Sequence, residues 1–277
     1  MSKVLVPIGF SEYSDQLIKY ACDLCDKVNG ELHLIHGLEI PFVIKNLYDE
    51  GEINRIVSSL EEKMEAKKTE LLKTHNLTIH TSVLLGRVYE SILNYQKEHE
   101  IEWLVIGANG SESQQDFIGA NTLRVLRESY SPTISLKGDC LKDRLTNVIV
   151  PLDLTNEVNE KLRQVQNFNK KIPGLTYRLV CVSTSRDEFV INRMTRHLGH
   201  LKSALAEDGI KVSSEIITGV QSKLDVPNTI LDYTRKVKGD LIFIMTQKEQ
   251  TPVQYFLGSV AQQLINQDSV PVLSITP

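Results

Sequence analysis

The chain has little of what most often declares a function. Four cysteines in 277 residues, Cys22, Cys25, Cys140 and Cys181, are too few for a disulfide framework. No apolar run is long enough to span a bilayer. Met1-Ser2-Lys3 passes straight into the strand-like Val4-Leu5-Val6 rather than into the apolar core of a signal peptide, so a cytoplasmic protein without a membrane partner is expected. Neither sign of charge dominates. The 31 Lys and Arg against 35 Asp and Glu leave a net −4, with a pI of about 6.0, which implies no basic face for a nucleic-acid backbone and no nucleic acid as a direct partner. Gly-Lys-Ser/Thr of the nucleoside-triphosphate loop and Gly-x-Gly-x-x-Gly of the dinucleotide fold are both absent.

What the chain does have is centred on Leu104 to Leu136. Leu104, Val105 and Ile106 form an apolar run without alternation, as in a strand buried on both faces. Gly107 and Gly110 then break the pattern, and Gly119 opens a helix with Leu123, Leu126 and Arg127 at helical spacing. Two readings fit. Glycines leave room for an anion at main-chain N–H groups near a helix start, a phosphate cradle; or they serve only a loop connection, since Gly-x-x-Gly is common.

The rest of the first half alternates strand and helix. Lys3 to Ile8 is a buried strand, Ser11 is placed to cap the next helix, and Gly30 to stop it. Glu31 to Leu38 is the second strand. His33 and His36 fall on opposite faces of it, so no shared metal is expected. Glu52 to His75 reads as a long helix with an apolar stripe of Ile53, Ile56, Val57, Leu60, Met64, Leu71 and Leu72 and a solvated Glu/Lys face. Leu77 to Leu85 and Val88 to His99 are the third strand and helix. Cys22 and Cys25 have the spacing of a redox pair but sit mid-helix, which predicts two semi-buried thiols. Arg87 reads as either a surface arginine or a phosphate partner.

After a connector, Gly138 to Leu145, the pattern starts again. Val4-Leu5-Val6-Pro7-Ile8-Gly9 answers to Val148-Ile149-Val150-Pro151-Leu152-Asp153, an offset of 144, and Phe117-Ile118-Gly119-Ala120 to Phe256-Leu257-Gly258-Ser259. Ser131-Pro132-Thr133-Ile134-Ser135 answers to Val270-Pro271-Val272-Leu273-Ser274. The expected architecture is two Rossmann-like three-layer α/β domains, residues 1–138 and 146–277, each a five-stranded parallel sheet with helices on both faces. His197 and His200, three apart on the second copy's long helix, read as a surface pair.

Both copies resemble the universal stress protein family, which makes the chain a tandem universal stress protein. The resemblance rests on a strand, Gly107-x-x-Gly110, a gap, Gly119 opening a helix, and a last strand introduced by Pro132. Nucleotide-binding members of that family carry Gly, two residues, Gly, nine residues, Gly, then Ser or Thr, with an Asp two residues after the Pro of the first strand. The resemblance implies a stress-response regulatory module without committed chemistry, binding ATP or a related adenine nucleotide. In the first copy the contacts would come from Pro7, Ile8, Gly9, Gly37, Gly107, Asn109, Gly110, Gly119, Ala120 and Asn121. In the second they would come from Pro151, Leu152, Asp153, Val182, Gly258, Ser259 and Val260.

Neither copy is complete. The first keeps the glycines but has an eight-residue gap, Ala120 in place of the hydroxyl and Gly9 in place of the Asp; the second keeps Asp153, Gly258 and Ser259 but has Met245 and Lys248 at the first two glycine positions. Loop shape favours the first copy and polar contacts the second. The alternative is a structural or protein-interaction module with vestigial nucleotide sites. An enzyme is not expected, because no Walker lysine or paired carboxylates accompany the glycine loop. The resemblance further implies pairing of the last strands, Ser131 to Leu136 with Val270 to Ile275, into an internal pseudo-dimer, and leaves open a homodimer and an unidentified protein partner. Residues 41–51, leaving the second strand, are read as a lid over the crevice or a docking surface, the lid being favoured because the segment leaves the carboxyl end of that strand.

Overall fold

The computed structural model of the chain describes residues 1–40, 49–108, 119–137, 145–154, 158–248, 255–256, 258–267 and 270–276. The Gly107-to-Gly119 loop, with Asn109 and Gly110, most of the expected lid and the connector with Cys140 lie outside the described residues.

Strands form where apolar residues run without alternation. Val4, Leu5 and Val6 of β1 (Ser2–Pro7) have no exposed surface, because helices cover both faces. β2 (Gly30–Leu38) and β3 (Ile79–Leu85) extend the sheet on one side of β1, and β4 (Trp103–Gly107) and β5 (Thr133–Leu136) on the other, all parallel. The second half repeats this with β6 (Asn147–Pro151), β7 (Thr176–Val182), β8 (Lys211–Ile217) and β9 (Leu241–Met245); the short antiparallel pair β10 (Gln247–Lys248) and β11 (Tyr255–Phe256) precedes the last strand, β12 (Val272–Ile275). The two five-stranded sets are joined where β5 and β12 run antiparallel, with Ser135 opposite Val272, Ile134 opposite Leu273 and Thr133 opposite Ser274. One sheet of 10 strands results, in the order β3-β2-β1-β4-β5-β12-β9-β6-β7-β8. The expected last-strand pairing is what covers these two edges.

On one face lie α1 (Glu12–Val28) and α2 (Glu50–Leu71), and on the other α3 (Val88–Glu98) and α4 (Ala120–Glu128). In the second half α5 (Val158–Lys171) and α6 (Glu188–Glu207) share the first face, and α7 (Val226–Lys236) and α8 (Ser259–Ile265) the second. The core of the first face runs unbroken through both halves. Phe168 of α5 meets the ring of Trp103 edge-on at 5.7 Å and that of Phe243 at 5.9 Å, and Lys171 bonds Glu102 at 2.8 Å. Across the seam, Lys137 Nζ donates to the Asn266 carbonyl at 2.8 Å, and the Thr276 hydroxyl to the Ser129 carbonyl at 3.1 Å.

Several local expectations are corrected. Ser11 makes no side-chain cap to α1; its hydroxyl faces that of Ser14, which accepts the Gly9 N–H. Asn29, with φ of 50°, ends α1, and Gly30 already belongs to β2, where a Cβ would come within 2.8 Å of the Ser2 carbonyl oxygen. α2 begins at a capping box in which Asp49 accepts from the Glu52 N–H and Glu52 from the Asp49 N–H. Of its expected stripe only Met64 is buried; Ile56 and Leu72 are exposed. No described helix is long and apolar enough to cross a membrane.

Candidate functional site

In a parallel sheet of this order the strand sequence reverses between β1 and β4, and again between β6 and β9. Loops leaving those two carboxyl ends diverge to opposite faces and open a crevice. Each crevice is entered the same way. β1 ends in Pro7 and buried Ile8 and turns through Phe10 at φ 58°; β6 ends in Pro151 and buried Leu152 and turns through Leu154 at φ 56°. Pro7 and Ile8 of the first repeat and Pro151 and Leu152 of the second thus stand at equivalent places.

In the first repeat a side chain from α1 covers the end of β4. Tyr13, from the first turn of α1, lies over Gly107, and a Cβ on that glycine would stand 2.6 Å from its ring. The Tyr13 hydroxyl donates to the Leu136 carbonyl at the end of the next strand. Gly107 therefore serves the close approach of an aromatic ring, whatever the loop that follows it does. Thr122 of α4 donates to the Gly107 carbonyl at 2.8 Å, and His36 Nδ1 lies 2.8 Å from the Ile8 carbonyl. Gly37 sits under Val88 of α3, which a Cβ would approach to 3.3 Å. Gly119 caps α4 with an ordinary extended backbone, and Ala120 and Asn121 are exposed in its first turn. Pro7, Ile8, Gly9 and Gly107 stand at the carboxyl ends of the adjacent strands β1 and β4; Asn109 and Gly110 lie outside the described residues.

In the second repeat the equivalent crevice is open. A cavity of about 300 Å³ is lined by Pro151, Leu152, Asp153, Val182, Gly258, Ser259 and Val260, all expected from the sequence. Its apolar wall adds Val180, Val226, Ile230, Ile244 and Leu264, and Met245, standing where the first repeat has Gly107, lines it as well. One cation was not foreseen. Lys161, from the second turn of α5, also lines the cavity and donates to the Pro151 carbonyl at 2.9 Å. Under the offset of 144 it answers to Leu17, which is buried in the first repeat; a lysine on the otherwise apolar stripe of Val158, Leu162 and Val165 was the signal available. Cys181 lies beneath, its thiol pushed up to about 11 by burial and then by the nearby Asp153 charge. The site is an apolar slot with carboxylate, ammonium and hydroxyl at its mouth, suited to a flat, partly apolar ligand bearing an anionic or hydroxyl-rich end.

A model described as the universal stress protein family matches residues 1–137 and again 145–275. The chain belongs to the universal stress protein family. Over 140 residues, 49% of this chain and 81% of the relative, it is 25% identical to a universal stress protein of Methanocaldococcus jannaschii. The fold is shared along its whole length with a universal stress protein from Archaeoglobus fulgidus, with a TM-score of 0.73, 19% identity, and 99% of this chain and 98% of that one covered. A putative universal stress protein from Pseudomonas aeruginosa has a TM-score of 0.63 at 14% identity, covering 100% and 94%. In this family member the two repeats are one sheet, and the strand ends at their crevices differ in sequence, Gly9 and Gly107 in the first against Asp153 and Met245 in the second.

The remaining candidates are accounted for. Arg87 is exposed at the start of α3, with Nη1 3.1 Å from Glu90 Oε1. His197 and His200 are exposed on α6. Cys22 and Cys25 are wholly buried on α1 rather than semi-buried.

Proposed function

We propose that this universal stress protein is a regulatory binding module whose second repeat takes an adenine nucleotide, and whose first repeat is a structural partner. The observation that carries this reading is the difference between the two crevices: Tyr13 covers Gly107 in one, and Asp153, Lys161 and Ser259 edge an open apolar slot in the other. The base would lie between Val180, Val182, Val226 and Ile230. Asp153, at the position that faces the ribose in nucleotide-binding members of the family, would accept from a sugar hydroxyl, and Lys161 and Ser259 would meet the phosphate end. Met245 narrows the phosphate side relative to a glycine, which favours a short phosphate chain over a long one. No group in this constellation is placed as a nucleophile or base, so binding is the expected activity.

The test is a thermal melt of the chain with ATP, ADP and AMP. A ligand held only by the folded state raises the midpoint. The midpoint should rise in wild type and in Gly119→Trp, and fail to rise in Ser259→Trp. No rise with any adenine nucleotide, or loss of the rise in Gly119→Trp alone, would overturn the reading and leave the protein-interaction module.

A further inference from the structure

The first repeat carries a second cluster at the amino ends of its outer strands, away from both crevices. Glu31 and His33 lie on β2, and the parallel register sets His33 directly beside His80 on β3. His33 Nε2 stands 3.2 Å from Glu31 Oε1, and His80 Nε2 3.6 Å from Glu31 Oε2. One carboxylate oxygen and two imidazole nitrogens lie within 4.8 Å of one another.

We propose that Glu31, His33 and His80 form a binding site for a divalent transition ion of the zinc class. A tetrahedral ion with bonds of about 2.0–2.2 Å holds its ligand atoms roughly 3.3–3.5 Å apart, close to the separation of His33 Nε2 from Glu31 Oε1. His80 Nε2, which faces the other oxygen of the same carboxylate, completes the set by a rotation of its half-exposed side chain. That exposed flank leaves room for water in the remaining position. His33 is buried, and its Nδ1 lies 3.0 Å from the Tyr95 hydroxyl. A phenol can donate or accept, so Tyr95 supports the tautomer that presents the Nε2 lone pair to a metal, the outer-shell arrangement that orients metal-bound histidines. Tyr95 is itself fixed by the ring of His99, stacked at 3.9 Å. Two ammonium groups share this pocket and both are engaged elsewhere: Lys3 donates to the His99 carbonyl at 3.0 Å, and Lys68 to Glu65 at 3.3 Å.

The second repeat serves as an internal control. Val4 of β1 pairs with Leu32 as Val148 of β6 pairs with Tyr177, so Glu31, His33 and His80 answer to Thr176, Arg178 and Ser213. Tyr95 and Tyr233 hold the same place in α3 and α7. The fold keeps the tyrosine and does without the three ligands, so their convergence is particular to the first repeat. An ion here would tie the outermost strand of the sheet, β3, to β2.

The test uses the full chain stripped with EDTA, titrated with Zn²⁺ against a chromophoric chelator and with Co²⁺ by its visible absorption. One ion per chain with a four-coordinate Co²⁺ spectrum is expected. Glu31→Gln and His80→Ala should each weaken Zn²⁺ by about tenfold or more, as should Tyr95→Phe through His33. His197→Ala/His200→Ala should leave it unchanged, and Zn²⁺ should raise the melting temperature of wild type but not of Glu31→Gln. Melts without metal establish that each variant is folded. Absence of stoichiometric binding, or binding lost with His197 and His200 and kept in Glu31→Gln and His80→Ala, would overturn the proposal.

Discussion

Tyr13 packs its ring on the bare Cα of Gly107 and reaches past it to the Leu136 carbonyl, joining α1 to the ends of β4 and β5. A methyl group on Gly107 would enter that ring, and overpacking of this kind costs about 1–3 kcal/mol. Gly107→Ala should therefore lower the urea midpoint, and Tyr13→Phe should cost about 1 kcal/mol through the lost hydrogen bond. The two sites touch, so Tyr13→Ala/Gly107→Ala should be less destabilised than the sum of its parts. Full additivity would show that the ring does not sit on this glycine.

The open crevice gives the second prediction, which rests on the nucleotide reading. Lys161 holds the Pro151 carbonyl at the mouth of the cavity, and a hydrogen bond from a charged donor to phosphate is worth about 1.5 kcal/mol or more, roughly tenfold in affinity. Calorimetric titration of Lys161→Met should show AMP bound about tenfold more weakly and adenosine bound as in wild type. Equal losses for both ligands would place Lys161 in support of the strand end rather than at the phosphate.

How much of this was legible in the sequence follows from what each signal depends on. Unbroken apolar runs such as Val4-Leu5-Val6 and Leu241-Ile242-Phe243 have only one comfortable home, a strand covered on both faces, so the sheet could be read from them and the repeat from the offset of 144, whereas the last-strand pairing came from the family resemblance. Asp153, Gly258 and Ser259 could be placed at one crevice because each lies at a strand or helix end that the fold fixes. Tyr13 could not, because in the sequence it is one aromatic on a helix face and its partner Gly107 is 94 residues away. The same holds for His80: two histidines three apart drew attention to His33 and His36, whereas the neighbour of His33 is set by strand register. Asn29 took the helix-ending role assigned to Gly30 because asparagine also tolerates the left-handed turn.

The buried thiols yield a third prediction. Burial, then the charges of Asp23 and Asp26, push the Cys22 thiol up to about 12, and burial also raises Cys25. Thiolate is the reactive form. Ellman's reagent should leave Cys22, Cys25 and Cys181 unmodified in the native Cys140→Ser variant and react with all three in denaturant. Rapid native labelling of Cys22 or Cys25 would restore the redox-pair reading.

The same shifts set a pH limit. Near the ordinary thiol value of 9.0 the unfolded chain begins to lose these protons while the folded chain keeps them, so the folded state binds more protons and stability falls as pH rises. The stability each raised group contributes is fully present below pH 9 and is lost toward its folded value, about 11 for Cys181 and about 12 for Cys22. The slope is about 1.4 kcal/mol per pH unit for each group. Urea midpoints should be flat from this source below pH 9 and drop steeply above it, and Cys22→Ala should flatten the drop.

The seam gives the last prediction. Two domains joined by a linker alone would melt separately, but here Ile134 and Leu273 face each other with no exposed surface, and Phe168 of the second repeat packs on Trp103 of the first. Unfolding either half strips that contact and opens a sheet edge in the other. Calorimetry should therefore show one transition whose van't Hoff and calorimetric enthalpies agree. Phe168→Ala removes the ring that touches both Trp103 and Phe243 and should cost about 3–5 kcal/mol. Because the lost ring served both halves, the variant should melt lower and still as one unit. Two resolved transitions in wild type would show that the halves, though continuous in hydrogen bonding, are independent in energy.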